Sequence, residues 1–232
     1  MFFEEFTGRG VRVAIIDSGV HAAHPHVGGL AGGVTIRSDG STDAEFVDRL
    51  GHGTAVAAAV HEKAPDAELF IIKIFDRSLA TDVPTLVKAI DEAARWGANL
   101  INLSLGTTSS ERENDLARAV QRARIGGAFI VSAARDGDVV WLPGSLDDVV
   151  PVRLDWSCER GAYRLVSENG RSCIAASGYP RDIPGVPRER NIRGVSFAVA
   201  NATGFAARAL EANACRTLTD LFAAFESAFS VL

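Results

Sequence analysis

The chain has 232 residues, of which 47% are hydrophobic and 23% are charged, and its formal net charge is −5. This length suits one substantial hydrophobic core, and we expect a single domain over residues 1–232 because no repeat or linker divides the chain. Lysines and arginines are scattered rather than clustered, which argues against a nucleic-acid partner.

The N-terminal sequence MFFEEFTGRG contains two glutamates and lacks the apolar run of a signal peptide, and no later segment reaches membrane-spanning length. We therefore expect a cytoplasmic protein without a prosegment that does not associate with a membrane. Its three cysteines, Cys158, Cys173 and Cys215, form no CxxC pair or His/Cys cluster. We expect free thiols, no bound metal and no cofactor.

Short apolar runs alternate with segments of helical spacing along the first part of the chain. In chain order they predict a strand over 11–17, a helix over 52–64, a strand over 67–75, a helix over 83–97, a strand over 98–105, a helix over 110–127, a strand over 127–134, and helices over 196–213 and 217–232. Over 135–190 this alternation of apolar runs and helical spacing becomes irregular, and residues 178–191 are predicted to form a loop. This alternation predicts an α/β fold with a mostly parallel central sheet and helices on both faces, whose sites gather at the carboxyl ends of the strands.

Three polar residues lie at the ends of predicted elements, where a fold of this class forms its catalytic or binding sites. Asp17 ends the first buried strand, where a carboxylate needs a partner. His52 begins a helix between glycines, and Ser196 begins another helix, whose N–H groups favour negative charge. A hydroxyl, a base and an orienting carboxylate are the parts of an activated nucleophile. Taken singly, each residue also fits a structural role as a cap or turn former.

Their neighbours strengthen the functional interpretation. The segments AIIDSGVHAAHP, GHGTAVAAAV, LINLSLG and GVSFAVANATGFAARAL occur in this order along the chain. They closely resemble the aspartate, histidine, substrate-binding and serine segments of the subtilisin-like serine peptidases, in the chain order Asp, His, Ser of that family. The resemblance runs from about Val11 to Leu210.

The resemblance implies that Ser196 is the nucleophile, His52 the general base and then acid, and Asp17 the orienting carboxylate. It also implies that the strand end formed by Ser104, Leu105 and Gly106 pairs with an extended polypeptide substrate and forms one wall of the pocket for the residue before the cut. These residues otherwise read simply as a strand end.

The segment FIVSAARDGD departs from the family at the oxyanion position. Where the family has Gly-Asn, this chain has Arg135 and Asp136, and an ionised carboxylate has no proton to donate to an oxyanion. Three hypotheses remain open. Asp136 is held protonated and donates together with Ser196, as in relatives that carry Asp there; Arg135 replaces the amide; or the two residues form a surface ion pair beside a slow or inactive site.

Further departures from the family pattern are Ala55 after HGT, Val199 in the serine segment and Arg193 before the Gly that precedes the serine. The connection HEKAPDAE is too short for the calcium-binding loop of many secreted relatives, so we expect no calcium there.

An intracellular peptidase without an inhibitory segment must be selective or slow. We therefore expect an endopeptidase that removes a leader or propeptide from one dedicated partner protein. Two other interpretations stay open: a module that binds extended peptides without cleaving them, and an esterase or amidase acting on small molecules.

Overall fold

A ten-stranded mixed sheet forms the centre of the computed structural model, which describes residues 3–168 and 170–228. Its strands are β1 (Arg12–Asp17), β2 (Leu30–Ile36), β3 (Thr42–Asp43), β4 (Glu68–Lys73), β5 (Leu100–Leu103), β6 (Phe129–Asp136), β7 (Val139–Val140), β8 (Val149–Leu154), β9 (Tyr163–Glu168) and β10 (Arg171–Ala176). The helices are α1 (His52–Lys63), α2 (Val83–Trp96), α3 (Glu113–Ile125), α4 (Val195–Ala212) and α5 (Leu218–Ser227).

The main part of the sheet is parallel, in the order β2-β4-β1-β5-β6-β8-β10. The remaining described strands β3, β7 and β9 pair antiparallel with β2, β6 and β10. After β1 the chain moves to one side of the sheet for β2 and β4, and then crosses β1 to β5 on the other side. The carboxyl ends of β1 and β5 therefore flank a switch point of the kind where α/β proteins form their sites.

Both faces of the parallel sheet are buried. Along β1, Val13 and Ile15 point into one core with α1, α4 and α5, while Ala14 and Ile16 point into the other core with α2 and α3. All four side chains are fully buried, as expected for a parallel sheet covered by helices on both faces. The structure thus confirms the predicted fold class.

The long periodic segments were predicted within a few residues. All four predicted strands and all five predicted helices are present, although the terminal helix predicted over 217–232 is described only to residue 228. The strands β2, β3 and β7–β10 were not predicted. Two glycines interrupt the apolar pattern of β2, and Pro151 interrupts that of β8. β9 lies at the sheet edge and only its first residue is fully buried.

In the part of the chain that the structure describes, no helix is long and apolar enough to span a bilayer.

Candidate active site

The fold brings the predicted site residues to one edge of the sheet. Asp17 is the last residue of β1, and Ser104–Gly106 follow β5 directly. His52 is the first residue of α1, and Ser196 lies in the first turn of α4.

Asp17 and His52 form the central contact of the site. The Asp17 carboxylate is fully buried, and its two oxygens lie 2.8 and 3.0 Å from His52 Nδ1. The backbone N–H of Ser18 also donates to Asp17 Oδ1, at 2.7 Å. Burial of the ring disfavours its charged form, but the hydrogen bond and the negative charge of Asp17, together with the charge of Asp48, outweigh burial and raise the pKa of His52 above its ordinary value.

The contact between Asp17 and His52 depends on close packing of β1 against the start of α1. The backbone N–H of Gly53 donates to Ser18 Oγ at 2.9 Å. A Cβ atom on Gly53 would overlap Gly19 O and lie 3.2 Å from Asp17 Oδ1, so the position requires glycine. The ring of Phe197, from α4, lies 5.5 Å from the His52 ring and packs beside it.

Asp48 organises the turn before His52, a role that the sequence analysis missed. Its carboxylate accepts hydrogen bonds from the backbone N–H of Leu50, Gly51 and Thr54 and from the hydroxyls of Ser18 and Thr54. Burial raises the pKa of Asp48, but these hydrogen bonds dominate and hold it below its ordinary value. The available signal was an Asp placed shortly before a helix start.

Ser196 is held by the strand end after β5. Its Oγ donates to Ser104 O at 3.0 Å, and Ser104 Oγ donates to Ser196 O at 2.9 Å. Asn102 Nδ2 donates in turn to Ser104 Oγ, and Thr203 Oγ1 donates to Asn102 Oδ1, both at 2.9 Å. Among the described residues, no hydrogen bond joins Ser196 Oγ to His52. Such hydrogen bonds are often long or misaligned in ligand-free enzymes and tighten when substrate binds.

A cavity of about 210 Å³ brings His52 and Ser196 together. Ser104, Leu105 and Gly106, which the resemblance assigns to substrate binding, line one side of it. The rest of the lining is apolar and includes Trp141, which the sequence analysis also missed: Phe75, Leu79, Ala133, Trp141, Val195 and Val199.

Backbone hydrogen bonds in both directions between Thr107 and Leu142, each 2.9 Å long, tie the Trp141 side of this cavity to the Ser104–Gly106 side.

Arg135 and Asp136 end β6 and begin a tight hairpin with β7. Arg135 Nε lies 3.3 Å from Glu168 Oε1. In the described chain, Arg135 thus forms an ion pair with Glu168 and not with Asp136. Asp136 is exposed and does not line the cavity beside Ser196. Its assignment to the oxyanion position remains a prediction from the resemblance.

Within the described residues, no group of three or more His, Cys, Asp or Glu side chains is arranged to hold a metal ion. The three cysteines are free thiols. Burial raises the pKa of Cys173 to about 12 and also raises the pKa of Cys158 and Cys215, so none of these thiols is activated as a nucleophile.

Comparison with known proteins finds relatives whose similarity covers most of the chain. The chain is 30% identical over 211 residues to the alkaline protease of Alkalihalobacillus alcalophilus and to subtilisin Savinase of Lederbergia lenta, covering 86% of this chain and 52% and 73% of those proteins. A cold-adapted subtilisin-like serine proteinase has a similar structure, with a TM-score of 0.71 and 25% identity over 93% of this chain and 81% of that one.

The chain spans about half or less of the length of several curated relatives that it matches. The family model of the subtilases, Peptidase S8, matches residues 8–221, and the chain therefore belongs to the Subtilase family.

Proposed function

We propose that the chain is a serine endopeptidase in which Ser196 attacks the peptide carbonyl, His52 moves the proton and Asp17 orients His52. The contact of both Asp17 oxygens with His52 Nδ1 carries this proposal. Two carboxylate oxygens facing Nδ1 require a proton on that nitrogen, which leaves Nε2 as the basic nitrogen.

In the proposed reaction, Ser196 Oγ gives its proton to His52 Nε2 as it attacks the carbonyl carbon. The tetrahedral intermediate then breaks the C–N bond, and His52 returns the proton to the leaving amine. Water hydrolyses the acyl-enzyme with His52 again acting as base. The N–H of Ser196, in the first turn of α4 where N–H groups lack intrahelical partners, supplies a donor for the oxyanion.

The strand end after β5 supports an extended polypeptide substrate. In the described structure, no backbone hydrogen bond outside the regular ladders engages the N–H or C=O of Gly106 or the N–H of Leu105. These groups are thus available for pairing with a substrate strand. A small-molecule esterase or amidase would not need such an edge.

Covalent labelling tests the proposed nucleophile. We expect a fluorophosphonate to add one adduct to the wild-type protein, detected by intact mass and located at Ser196 by peptide mapping. Ser196→Ala should remain unlabelled. His52→Ala should label far more slowly, because the Ser196 hydroxyl then has no base to take its proton. An adduct on Ser196→Ala, or equal labelling of wild type and His52→Ala, would contradict the assignment.

We further propose that the peptidase removes a leader or propeptide from one dedicated precursor. The acid at residue 136 supports a slow, selective enzyme, because the family's amide donor is missing. The chain resembles in this respect the intracellular peptidase that trims the small subunit of quinohemoprotein amine dehydrogenase, and we propose a maturation role of that kind in the cytoplasm.

Selectivity can be measured by incubating the protein with unrelated denatured proteins and with candidate precursors, and following cleavage by mass spectrometry. We expect one or a few cuts in a true precursor and little cleavage of the others. Equal digestion of all of them would contradict the maturation role and leave the peptidase assignment intact.

One observation favours a second function. Ser196 Oγ donates to Ser104 O rather than to His52, so in this structure the hydroxyl is not hydrogen-bonded to a base, and a domain that binds extended peptides without cleaving them needs no such bond. That function predicts that wild type and Ser196→Ala retain a peptide equally well and that neither releases a product.

A further inference from the structure

The loop before α4 carries arginines stacked on aromatic rings. Arg188 Cζ lies 4.7 Å from the ring centre of Tyr179, and Arg193 Cζ lies 5.9 Å from that of Trp156. The Tyr179 and Trp156 rings are themselves in edge contact, with centres 5.2 Å apart. We call these four residues together with Arg190 the Arg–aromatic surface.

Positive charge exceeds negative charge along this loop. Residues 178–193 contain four arginines, at 181, 188, 190 and 193, and two carboxylates, Asp182 and Glu189. Asp182 pairs with Arg160 at 3.2 Å and Glu189 pairs with Arg188 at 3.3 Å. Within the described chain, neither Arg190 nor Arg193 forms an ion pair with a carboxylate, although the charge of Arg193 contributes, after the hydrogen bonds and the charge of Arg188, to lowering the pKa of Glu189. A chain of net charge −5 thus presents unpaired positive charge here.

Apolar side chains are exposed beside these arginines. Trp156 is 48% exposed, Ile192 47%, Ile183 44% and Val186 40%, which accounts for four of the ten large hydrophobic side chains that the described structure exposes. A guanidinium stacked on a ring keeps a fixed plane and directs its N–H groups outward, which suits bidentate binding of carboxylates. The surface therefore combines carboxylate recognition with apolar contact.

The loop is fixed to the helix that carries Ser196. Gly194 N donates to Gly178 O at 2.9 Å, and Asn201 Nδ2 donates to the carbonyls of Ser177 and Tyr179 at 2.9 and 3.1 Å. Arg193 precedes Ser196 by three residues. The Arg–aromatic surface is therefore held in a fixed position relative to Ser196, and a polypeptide long enough to reach from one to the other would contact both.

We propose that the Arg–aromatic surface binds an acidic, partly apolar segment of the polypeptide substrate that lies outside the bond to be cleaved. The proposal rests on the proposed peptidase function and names a recognition feature of its substrate. A nucleic acid or an anionic membrane suits the surface less well, because the net negative charge of the chain repels extended polyanions beyond a local contact. A short acidic segment engages the local arginines alone.

Binding can be measured without catalysis. The probe is a short fluorescein-labelled peptide of alternating glutamate, leucine and phenylalanine, added to Ser196→Ala and followed by fluorescence anisotropy. The matched probe replaces every glutamate by glutamine. We expect the acidic peptide to bind about tenfold or more tightly than its neutral match at low ionic strength, and to lose this advantage as salt screens the charges.

Two matched double variants locate the binding site. R190Q/R193Q removes two charges from the surface, whereas R112Q/R118Q removes two charges from exposed arginines at the start of α3. In the Ser196→Ala background we expect about a tenfold loss of affinity for the acidic peptide in the first variant and little change in the second. Trp156→Ala should weaken binding of both peptides because the apolar platform is removed.

Equal binding of the acidic and neutral peptides, or equal effects of the two double variants, would overturn the proposal. So would tighter binding of single-stranded RNA or of phosphatidylserine vesicles that R190Q/R193Q abolishes, because the surface would then serve another class of partner. Failure of the peptidase assignment is distinguishable, since the wild-type protein would then bind the acidic peptide without reacting with a fluorophosphonate.

Discussion

At the scale of single residues, the buried Asp17 fixes the tautomer and the pKa of His52. Asp17→Asn replaces a buried carboxylate by an amide of the same size, so the hydrogen bond remains possible but the negative charge is lost. We expect kcat/KM on a cleaved peptide to fall by about ten-thousand-fold, because the amide can present its N–H to Nδ1 and leave Nε2 protonated.

The pH profile of kcat/KM distinguishes a loss of the Asp17 charge from a loss of structure in Asp17→Asn. Activity requires neutral His52, so it should rise with pH through the raised pKa of that residue. In Asp17→Asn the rise should move to lower pH, because burial still lowers the pKa while the carboxylate no longer raises it. An unchanged profile with unchanged rate would show that Asp17 has only a structural role.

A single substitution tests whether Asp136 occupies the oxyanion position. Asp136→Asn restores the amide donor that the family has at this position. We expect fluorophosphonate labelling of Ser196 to become faster by about tenfold or more, since one oxyanion donor is worth roughly a hundred- to a thousand-fold in turnover. Asp138→Asn, two residues further along the same hairpin, is the matched control. Equal rates in wild type and Asp136→Asn would place Asp136 outside the oxyanion site, in keeping with its exposure.

At the scale of elements, α1 and α4 carry the proposed base and the proposed nucleophile and pack in close contact. A Cβ atom on Gly204 of α4 would overlap Lys63 Cβ and lie 3.0 Å from Lys63 Cγ on α1. Lys63 is itself buried and paired with Glu62, so it has little freedom to move. The helices can approach this closely because residue 204 is glycine.

Gly204→Ala should therefore separate the two helices. We expect a loss of about 1–3 kcal/mol in the free energy of unfolding, measured by urea titration, together with slower labelling of Ser196 because the distance from His52 to Ser196 changes. Gly126→Ala at the end of α3 is the control, since its backbone conformation suits alanine and it lies on the other face of the sheet. A fully stable Gly204→Ala protein would show that the helices adjust freely.

At the scale of the whole molecule, the sequence predicted the parts of the fold that are buried on both sides. Central strands such as β1 and β4 read as continuous apolar runs because both faces are covered, whereas the edge strand β9 lacks that signal. Asp17, His52 and Ser196 could be proposed as site residues because each stands at the end of a predicted element and within a segment that resembles the family. The structure places Asp17 against His52, and His52 and Ser196 on one cavity. Trp141 was missed because only tertiary packing brings it to the site. Asp48 was missed although it stands shortly before a helix start, where an acceptor side chain commonly satisfies free backbone N–H groups.

The stability of the whole chain should depend on pH through His61, a half-buried histidine on α1. Its Nδ1 is buried without a hydrogen-bond partner in the described structure, and its ring packs against Gly28. Burial, and then the charge of Arg181, lower the pKa of His61, with Asp66 acting weakly in the opposite direction.

Because the unfolded chain binds a proton at His61 more readily than the folded chain does, unfolding takes up a proton between the lowered folded pKa and the ordinary value of 6.5. The free energy of unfolding should therefore rise with pH across that window. His52 contributes the opposite slope, since its raised pKa stabilises the fold at low pH and this stabilisation is lost as pH rises through it.

His61→Leu and His61→Gln both remove the titrating ring. We expect urea titrations at a series of pH values to give a flatter rise of stability in both variants than in wild type, whatever their absolute stabilities. If both variants keep the wild-type slope below the ordinary histidine pKa, the acid sensitivity of the fold must arise elsewhere, with His26 as the next candidate because burial also lowers its pKa.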